Sequence, residues 1–167
     1  LVIHTTLVPY INSAGEMKTK PTQHSVQRLR ESGLEPDLLV CRTEQNHHLN
    51  QKLKKKLSMF CNVEADHVFE SPDVETIYEI PLVLYRQKFD RVITKRLKMK
   101  SKGSHQNNKF LERSIKRFKN PKGRVCIAMC GKYNNLHDAY KSITEAFIHS
   151  GIANNTHVNI KWVDTED

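Results

Sequence analysis

The stretch KTKPTQHS (residues 18–25) decides the fold of the first half of the chain, because a helix begins in it between two predicted strands. Pro21 suits the first turn of a helix, since its fixed φ is helical and its missing N–H would have no partner there. The apolar runs LVIHTTLVP (1–9) and DLLVC (37–41) predict buried strands. Residues 10–19 are predicted as a loop and residues 21–32 as a helix that ends at Gly33. This order indicates an α/β fold with a parallel sheet.

The same stretch is a candidate anion site. The first turn of a helix leaves backbone N–H groups pointing outward, and Lys18, Thr19, Lys20, Thr22 and Gln23 add side-chain donors around them. Open parallel sheets place ligands at such loop-to-helix junctions. Lysines before a helix are also common in solvated loops, so the spacing alone leaves both interpretations open.

A second predicted helix, residues 48–60, carries one lysine on its apolar side. Leu49, Leu53, Leu57 and Phe60 form a stripe, and the spacing places Lys56 beside it. A lysine in that position needs an anion, unless its stem only runs along the helix edge with the ammonium group in water. Both interpretations stay open, while Lys54 and Lys55 are predicted to face solvent.

The remainder of the chain divides by composition. Val68-Phe69 predicts a short strand, residues 71–74 a turn or helix start, and residues 76–99 a set of short helices. A linker follows over residues 100–123, flexible at first and then a basic amphipathic helix before Asn120-Pro121. From residue 124 a strand (125–130), a helix closed by Gly151 and a strand (157–163) predict one βαβ unit.

The excess charge lies in one segment. The chain has a net charge of +9, and residues 95–124 hold twelve Lys/Arg against one acid, Glu112, so the rest is close to neutral. This distribution argues against a broad nucleic-acid-binding face. The alternative it leaves is a non-catalytic module that binds polyanions or RNA, or directs assembly, through the basic segment.

Other features exclude further classes of protein. The four cysteines form no CxxC pair, and we expect buried free thiols and no metal site. No apolar segment is long enough to cross a membrane. The chain starts in an apolar run without an initiator Met, so we expect a piece of a longer protein.

Six stretches resemble the CTP synthase family, whose members make CTP from UTP with ammonia from glutamine. They are VIHTTLVPYINSAGEMKTKPTQHSV (2–26), GLEPDLLVCRTE (33–44), KLSMFCNVEADHV (56–68), SPDVETIYEIPLVL (71–84), CGKYNNLHDAYKSITEAF (130–147) and VNIKWVDTED (158–167). The resemblance covers nearly the whole chain and fails mainly in the linker.

The resemblance implies a domain organisation. Residues 1–99 are expected to be the C-terminal part of a Rossmann-like amidoligase (synthase) domain with a parallel sheet. Residues 100–123 are expected to be the basic interdomain linker. Residues 124–167 are expected to start a class I glutamine amidotransferase domain, as the first βαβ unit of a flavodoxin-like fold.

The resemblance also implies residue roles. The residues that match the site for UTP and its feedback inhibitor CTP are Lys18, Thr19, Lys20, Pro21, Thr22, Gln23 and Lys56. Pro72, Asp73 and Val74 match a short ATP-contacting segment, in which some members have lysine at the position of Pro72. No residue here matches a catalytic group or a metal ligand. The glycine-rich phosphate loop and the Mg²⁺ ligands are expected upstream, and the Cys-His-Glu triad downstream.

The implied parent protein is an ATP-dependent C–N ligase of pyrimidine biosynthesis that uses ATP and Mg²⁺, is located in the cytoplasm and assembles as a homotetramer. Its expected ligands are UTP, CTP, ATP and glutamine, and we expect neither membrane nor nucleic acid as a partner. The fragment alone is expected to be inactive and to bind nucleotide weakly.

Overall fold

A computed structural model describes residues 1–100, 105–132 and 136–165, so residues 101–104 of the predicted linker lie outside it. Contacts divide the chain into two compact units, Leu1–Gly103 and Ser104–Asp167. The elements of the first unit are, in chain order, β1 (Ile3–Leu7), β2 (Tyr10–Ile11), β3 (Glu16–Met17), α1 (Lys20–Glu31), β4 (Leu38–Thr43), α2 (Gln51–Cys61), β5 (Val68–Pro72), α3 (Ile80–Arg86) and α4 (Phe89–Arg96).

The first unit contains a parallel sheet in the order β1-β4-β5, which confirms the predicted α/β class. The register aligns Ile3 with Leu38 and Leu39 with Val68. Helix α1 connects β1 to β4, and α2 connects β4 to β5. Because all three strands run in the same direction, the loops that follow them emerge at one edge of the sheet.

The central strand β4 is buried on both faces. On one face Leu39 and Cys41 pack in a cluster with Val26 of α1 and Leu57 of α2. On the other face lie Leu38 and, in β5, Phe69, whose ring meets Phe89 of α4 edge-on at a centroid distance of 4.8 Å. Burial on both faces explains why β4 is an uninterrupted apolar run rather than an alternating one.

Helix α1 begins one residue before Pro21, at Lys20, and its end follows the sequence prediction. Gly33 adopts φ 81°, and its N–H donates to the carbonyl of Arg30 at 2.8 Å. This left-handed residue terminates the helix without the steric cost that a Cβ would bring.

The predicted loop over residues 10–19 was wrong in part, because it contains a short antiparallel hairpin. Tyr10 pairs with Met17, and Ile11 pairs with Glu16. A 3₁₀ turn over Asn12–Ala14 and Gly15 at φ 62° reverse the chain. The hairpin brings Lys18 back to β1, since its N–H donates to the carbonyl of Pro9 at 2.9 Å.

The second unit contains α5 (His105–Lys119), β6 (Gly123–Gly131), α6 (Lys141–Asn154) and β7 (Thr156–Asp164). Strands β6 and β7 are parallel, as the predicted βαβ unit requires, with Gly123 opposite Thr156. The basic helix α5 contacts α6 and β7, which places it in this unit. The polyanion-binding role predicted for it as an alternative stays a prediction. In the described part of the chain, no helix is long and apolar enough to cross a bilayer.

Gly151 does not end the last helix, contrary to the sequence prediction. Helix α6 continues to Asn154, and Asn155, at φ 53°, terminates it. Gly151 is buried, and a Cβ there would lie 2.6 Å from the backbone oxygen of Thr156. The glycine is therefore required by close packing of α6 on β7 rather than by a helix terminus.

Candidate functional site

A cleft of 930 Å³ lies where the loops after β1 and β4 emerge from the sheet. Two segments line it, residues 9–21 and residues 46–56. The lining residues are Pro9, Tyr10, Ile11, Gly15, Glu16, Met17, Lys18, Thr19, Lys20, Pro21, Asn46, His47, His48, Asn50, Lys52, Leu53 and Lys56. The cleft therefore brings together two segments that the sequence analysis could only consider as separate candidates.

The first segment presents Lys18 and Lys20 at the start of α1. The ammonium group of Lys18 pairs with the carboxylate of Glu16 across the hairpin end. Its hydrogen bond and its charge lower the pKa of the Glu16 carboxyl, and the charge of Lys56 contributes a smaller part. Lys20 is exposed and has no carboxylate partner among the described ion pairs. Lys56, on the other segment, thus lies within electrostatic reach of the Lys18–Glu16 pair.

Thr19 and Pro21 complete this side of the cleft, whereas Thr22 and Gln23 are outside its lining. Thr22 is fully buried, and its hydroxyl donates to the backbone carbonyl of Leu7 at 2.9 Å. The amide of Gln23 donates to the hydroxyl of Thr19 at 3.1 Å. The bond of Thr22 holds the beginning of α1 against the end of β1, and the bond of Gln23 ties the first turn of α1 to the residue that precedes the helix.

The second segment presents the beginning of α2. The side chain of Asn50 caps the helix by accepting a hydrogen bond from the N–H of Leu53 at 2.9 Å. Lys52 and Lys56 both line the cleft and are one turn apart. The sequence indicated Lys56 but missed Lys52, although the same i, i+4 spacing could have found it.

The predicted apolar stripe of this helix is narrower than expected. Leu57 is fully buried, but Phe60 is 51% exposed, so it is not part of the core. Lys56 is itself exposed and faces the cleft rather than the core. Lys54, predicted to face solvent, is half-buried. These differences arise because the side of α2 that packs on the sheet is centred on Leu57 and Cys61.

Two histidines to which the sequence assigned no role also line the cleft. His47 stacks on Tyr10, with ring centroids 3.5 Å apart and an interplanar angle of 8°. The Nδ1 atom of His48 lies 2.9 Å from a carboxylate oxygen of Glu70. Both histidines follow the carboxyl end of β4. Because open parallel sheets bind ligands at the carboxyl ends of their strands, this position could have indicated from the sequence that the histidines lie at a site.

The predicted ATP-contacting segment lies at the carboxyl end of the next strand. Pro72 is the last residue of β5, and the N–H of Asp73 donates to the carbonyl of Thr43 at 2.8 Å. The carboxylate of Asp73 accepts from Arg42 at 3.1 Å. Pro72, Asp73 and Val74 are outside the lining of the cleft, although they lie at the same edge of the sheet.

Among the described residues, one group of three side chains has metal-ligand character: Glu64, Asp66 and His67. It directly precedes β5, at the edge of the sheet opposite the cleft. His67 is buried, and its Nδ1 lies 3.2 Å from the carbonyl of Asp37. The group is therefore not placed to hold an ion beside the cleft.

The cysteines differ in burial, so the expectation of buried free thiols is confirmed for two of them and wrong for the other two. Cys41 and Cys61 are buried in the first unit, whereas Cys126 and Cys130 in β6 are exposed. Burial raises the pKa of Cys41 to about 12, and burial also raises the pKa of Cys61. The exposure of the other pair follows from a sheet of two strands, which covers β6 less than a central strand is covered.

Comparisons with a family model and with curated proteins all point to CTP synthases. The family model described as "CTP synthase N-terminus" matches residues 1–99. Curated proteins named CTP synthase from Cytophaga hutchinsonii and Flavobacterium johnsoniae are 51% and 50% identical over 166 residues, which is 99% of this chain. The protein of the same name from Ruminiclostridium cellulolyticum is 46% identical over 167 residues. The chain spans about 30% of the length of each of these relatives.

Proposed function

Because the chain belongs to the CTP synthase family, we propose that it is part of an enzyme that aminates UTP to CTP, and that its cleft binds the triphosphate of UTP and of CTP. The proposal assigns the activity to the whole protein, of which this chain is about 30% by length. The fragment contributes nucleotide-binding residues and no catalytic group.

One observation carries the proposal: five of the seven residues expected at the UTP/CTP site line a single cleft. Lys18 and Thr19 directly precede α1, Lys20 and Pro21 begin it, and Lys56 comes from α2. The cleft has four lysines against one carboxylate, Glu16, a formal charge of +3. This excess suits a ligand with several negative charges, such as a nucleoside triphosphate.

The lysines would act by binding and orienting the acceptor nucleotide. In the proposed reaction, ATP phosphorylates the 4-oxygen of uracil, and ammonia from glutamine then displaces the phosphate. Phosphoryl transfer depends on positioning and on neutralisation of charge. Lys18, Lys20 and Lys56 would fix the triphosphate of UTP, so that the uracil ring is held at a constant distance from the reacting groups of the parent protein.

The segment Pro72, Asp73 and Val74 is proposed to contact ATP. Support comes from its position at the carboxyl end of β5, beside the strand whose loop lines the cleft. The bonds of Asp73 to Thr43 and Arg42 hold the segment to β4. Mg²⁺ would accompany ATP in the parent protein, with its ligands supplied from outside this chain.

The second unit is proposed to begin the glutamine amidotransferase domain. The parallel pairing of β6 and β7 around α6 supports this, since a flavodoxin-like domain is built from such units. The homotetramer, the use of glutamine and the cytoplasmic location are likewise proposed for the parent protein.

The test is the substitution Lys20→Ala in the complete protein, with affinities for UTP and CTP measured by calorimetry. Lys20 is exposed, and loss of its contact with phosphate costs up to about 1 kcal/mol, so both affinities should fall together about fivefold. Arg28→Ala is the matched control, because Arg28 is an exposed cation in the last turn of the same helix, outside the cleft. Unchanged affinity for both nucleotides would contradict the proposal.

A further inference from the structure

We infer that Lys52, which lies outside the expected site, is a further ligand of the nucleotide's polyphosphate chain and acts together with Lys56. The inference rests on the proposed function and deepens it, since it concerns how the same cleft distinguishes a triphosphate from shorter phosphate chains.

The helix geometry brings the two lysines together. Lys52 and Lys56 are four residues apart in α2, so they lie on the same side, roughly 5–6 Å apart at Cβ. Both line the cleft, whereas Lys55, one residue before Lys56, does not. Two ammonium groups one turn apart span the length scale of two or three linked phosphates.

The charge arrangement in α2 is unfavourable without an anion. Lys52 is the second residue of the helix, where the positive end of the helix dipole disfavours a cation. The first turn has no acidic residue, and two like charges at i, i+4 repel each other. Neither Lys52 nor Lys56 takes part in the ion pairs of the described residues. A bound polyphosphate adds an attraction to both lysines and to the positive end of the helix dipole, which offsets these repulsions.

The other cleft lysines are placed differently. Lys18 already has a carboxylate partner, Glu16, and must exchange it for a phosphate oxygen. Lys52 and Lys56 form no ion pair among the described residues, and Glu16 attracts Lys56 only weakly, since Lys56 accounts for a small part of the lowered pKa of Glu16. The α2 pair therefore adds two cations to Lys18 and Lys20 in the same cleft, and a phosphate chain with more negative charges gains more from them than a shorter one.

The experiment measures the affinities of CTP and CDP by calorimetry in the complete protein. Lys52→Ala should weaken CTP binding about fivefold, the upper end for an exposed ion pair, and weaken CDP binding less. Lys52→Arg keeps the charge and should bind CTP within about twofold of the unsubstituted protein. Lys55→Ala removes an exposed lysine from the same helix outside the cleft and should also stay within about twofold.

Two results separate this inference from the proposed function. A loss of CTP affinity in Lys20→Ala, with Lys52→Ala indistinguishable from Lys55→Ala, overturns the role of Lys52 alone. Unchanged affinity in Lys20→Ala overturns the proposed function and the inference with it. Circular dichroism of each variant checks the fold, which should be retained because Lys52 is exposed.

Discussion

Thr22→Val separates a structural role of Thr22 from the nucleotide-binding role that the sequence implies. Valine has nearly the shape of threonine and replaces the hydroxyl with a methyl group. The Thr22 side chain is fully buried, and its hydroxyl donates to the carbonyl of Leu7 at 2.9 Å. We expect the free energy of unfolding to fall and the affinity for CTP to stay unchanged, since Thr22 does not line the cleft.

The magnitude follows from two opposing terms. The bond to the carbonyl of Leu7 is part-buried, and an acceptor that loses its donor costs about 1–3 kcal/mol where water does not replace the donor. Burial of the new methyl group offsets about 0.8 kcal/mol of this. The net loss should be about 1 kcal/mol and at most about 2 kcal/mol. In a unit of this size, a loss of 1 kcal/mol in the free energy of unfolding lowers Tm by about 4–8 °C.

The assay is urea denaturation and thermal unfolding of the 167-residue chain, with CTP affinity measured in the complete protein. Thr94→Val is the matched control. Thr94 also donates its hydroxyl to a backbone carbonyl, that of Asp90 at 2.9 Å, but this hydrogen bond is exposed, so water can replace it. The control should change stability by less than about 0.5 kcal/mol. An unchanged unfolding midpoint combined with a tenfold loss of CTP affinity would refute the structural role.

Three further predictions concern the thiols and the second unit. In the folded chain, a thiol reagent should modify Cys126 and Cys130, and only denaturation should expose Cys41 and Cys61; four rapidly reacting thiols would contradict the burial. Because the pKa of Cys41 is raised to about 12, the unfolded chain releases the thiol proton first, so stability should fall by about 1.4 kcal/mol per pH unit above the ordinary thiol pKa of 9.0. Urea denaturation at stepped pH measures this slope, and Cys41→Ala should reduce it, because Cys61, whose pKa is also raised by burial, still contributes. Gly151→Ala should destabilise the second unit by more than about 1 kcal/mol, although alanine favours helices, because its Cβ would lie 2.6 Å from a backbone oxygen. Thermal unfolding measures this loss of stability, and Ser150→Ala in the same turn of the helix is the control. Equal stability of the two variants would contradict the close packing.

The sequence by itself determined the local elements and the start of the site. Apolar β-branched runs predicted β1 and β4, and Pro21 and Gly33 predicted the ends of α1 to within two residues. The cluster of lysines at the start of α1 followed from the same local pattern. These features depend on interactions within a few residues, which periodicity and turn residues report directly.

Only the tertiary structure decided which residues face the cleft. It placed Thr22 against β1 and outside the lining of the cleft, and it brought Lys52 and His47 to the lining. These positions depend on the pairing of β1 with β4, which sets the distance between the loops that follow the two strands. That pairing is between residues about 35 positions apart, and it is fixed by burial of Leu39 and Cys41 between helices and sheet rather than by any local preference.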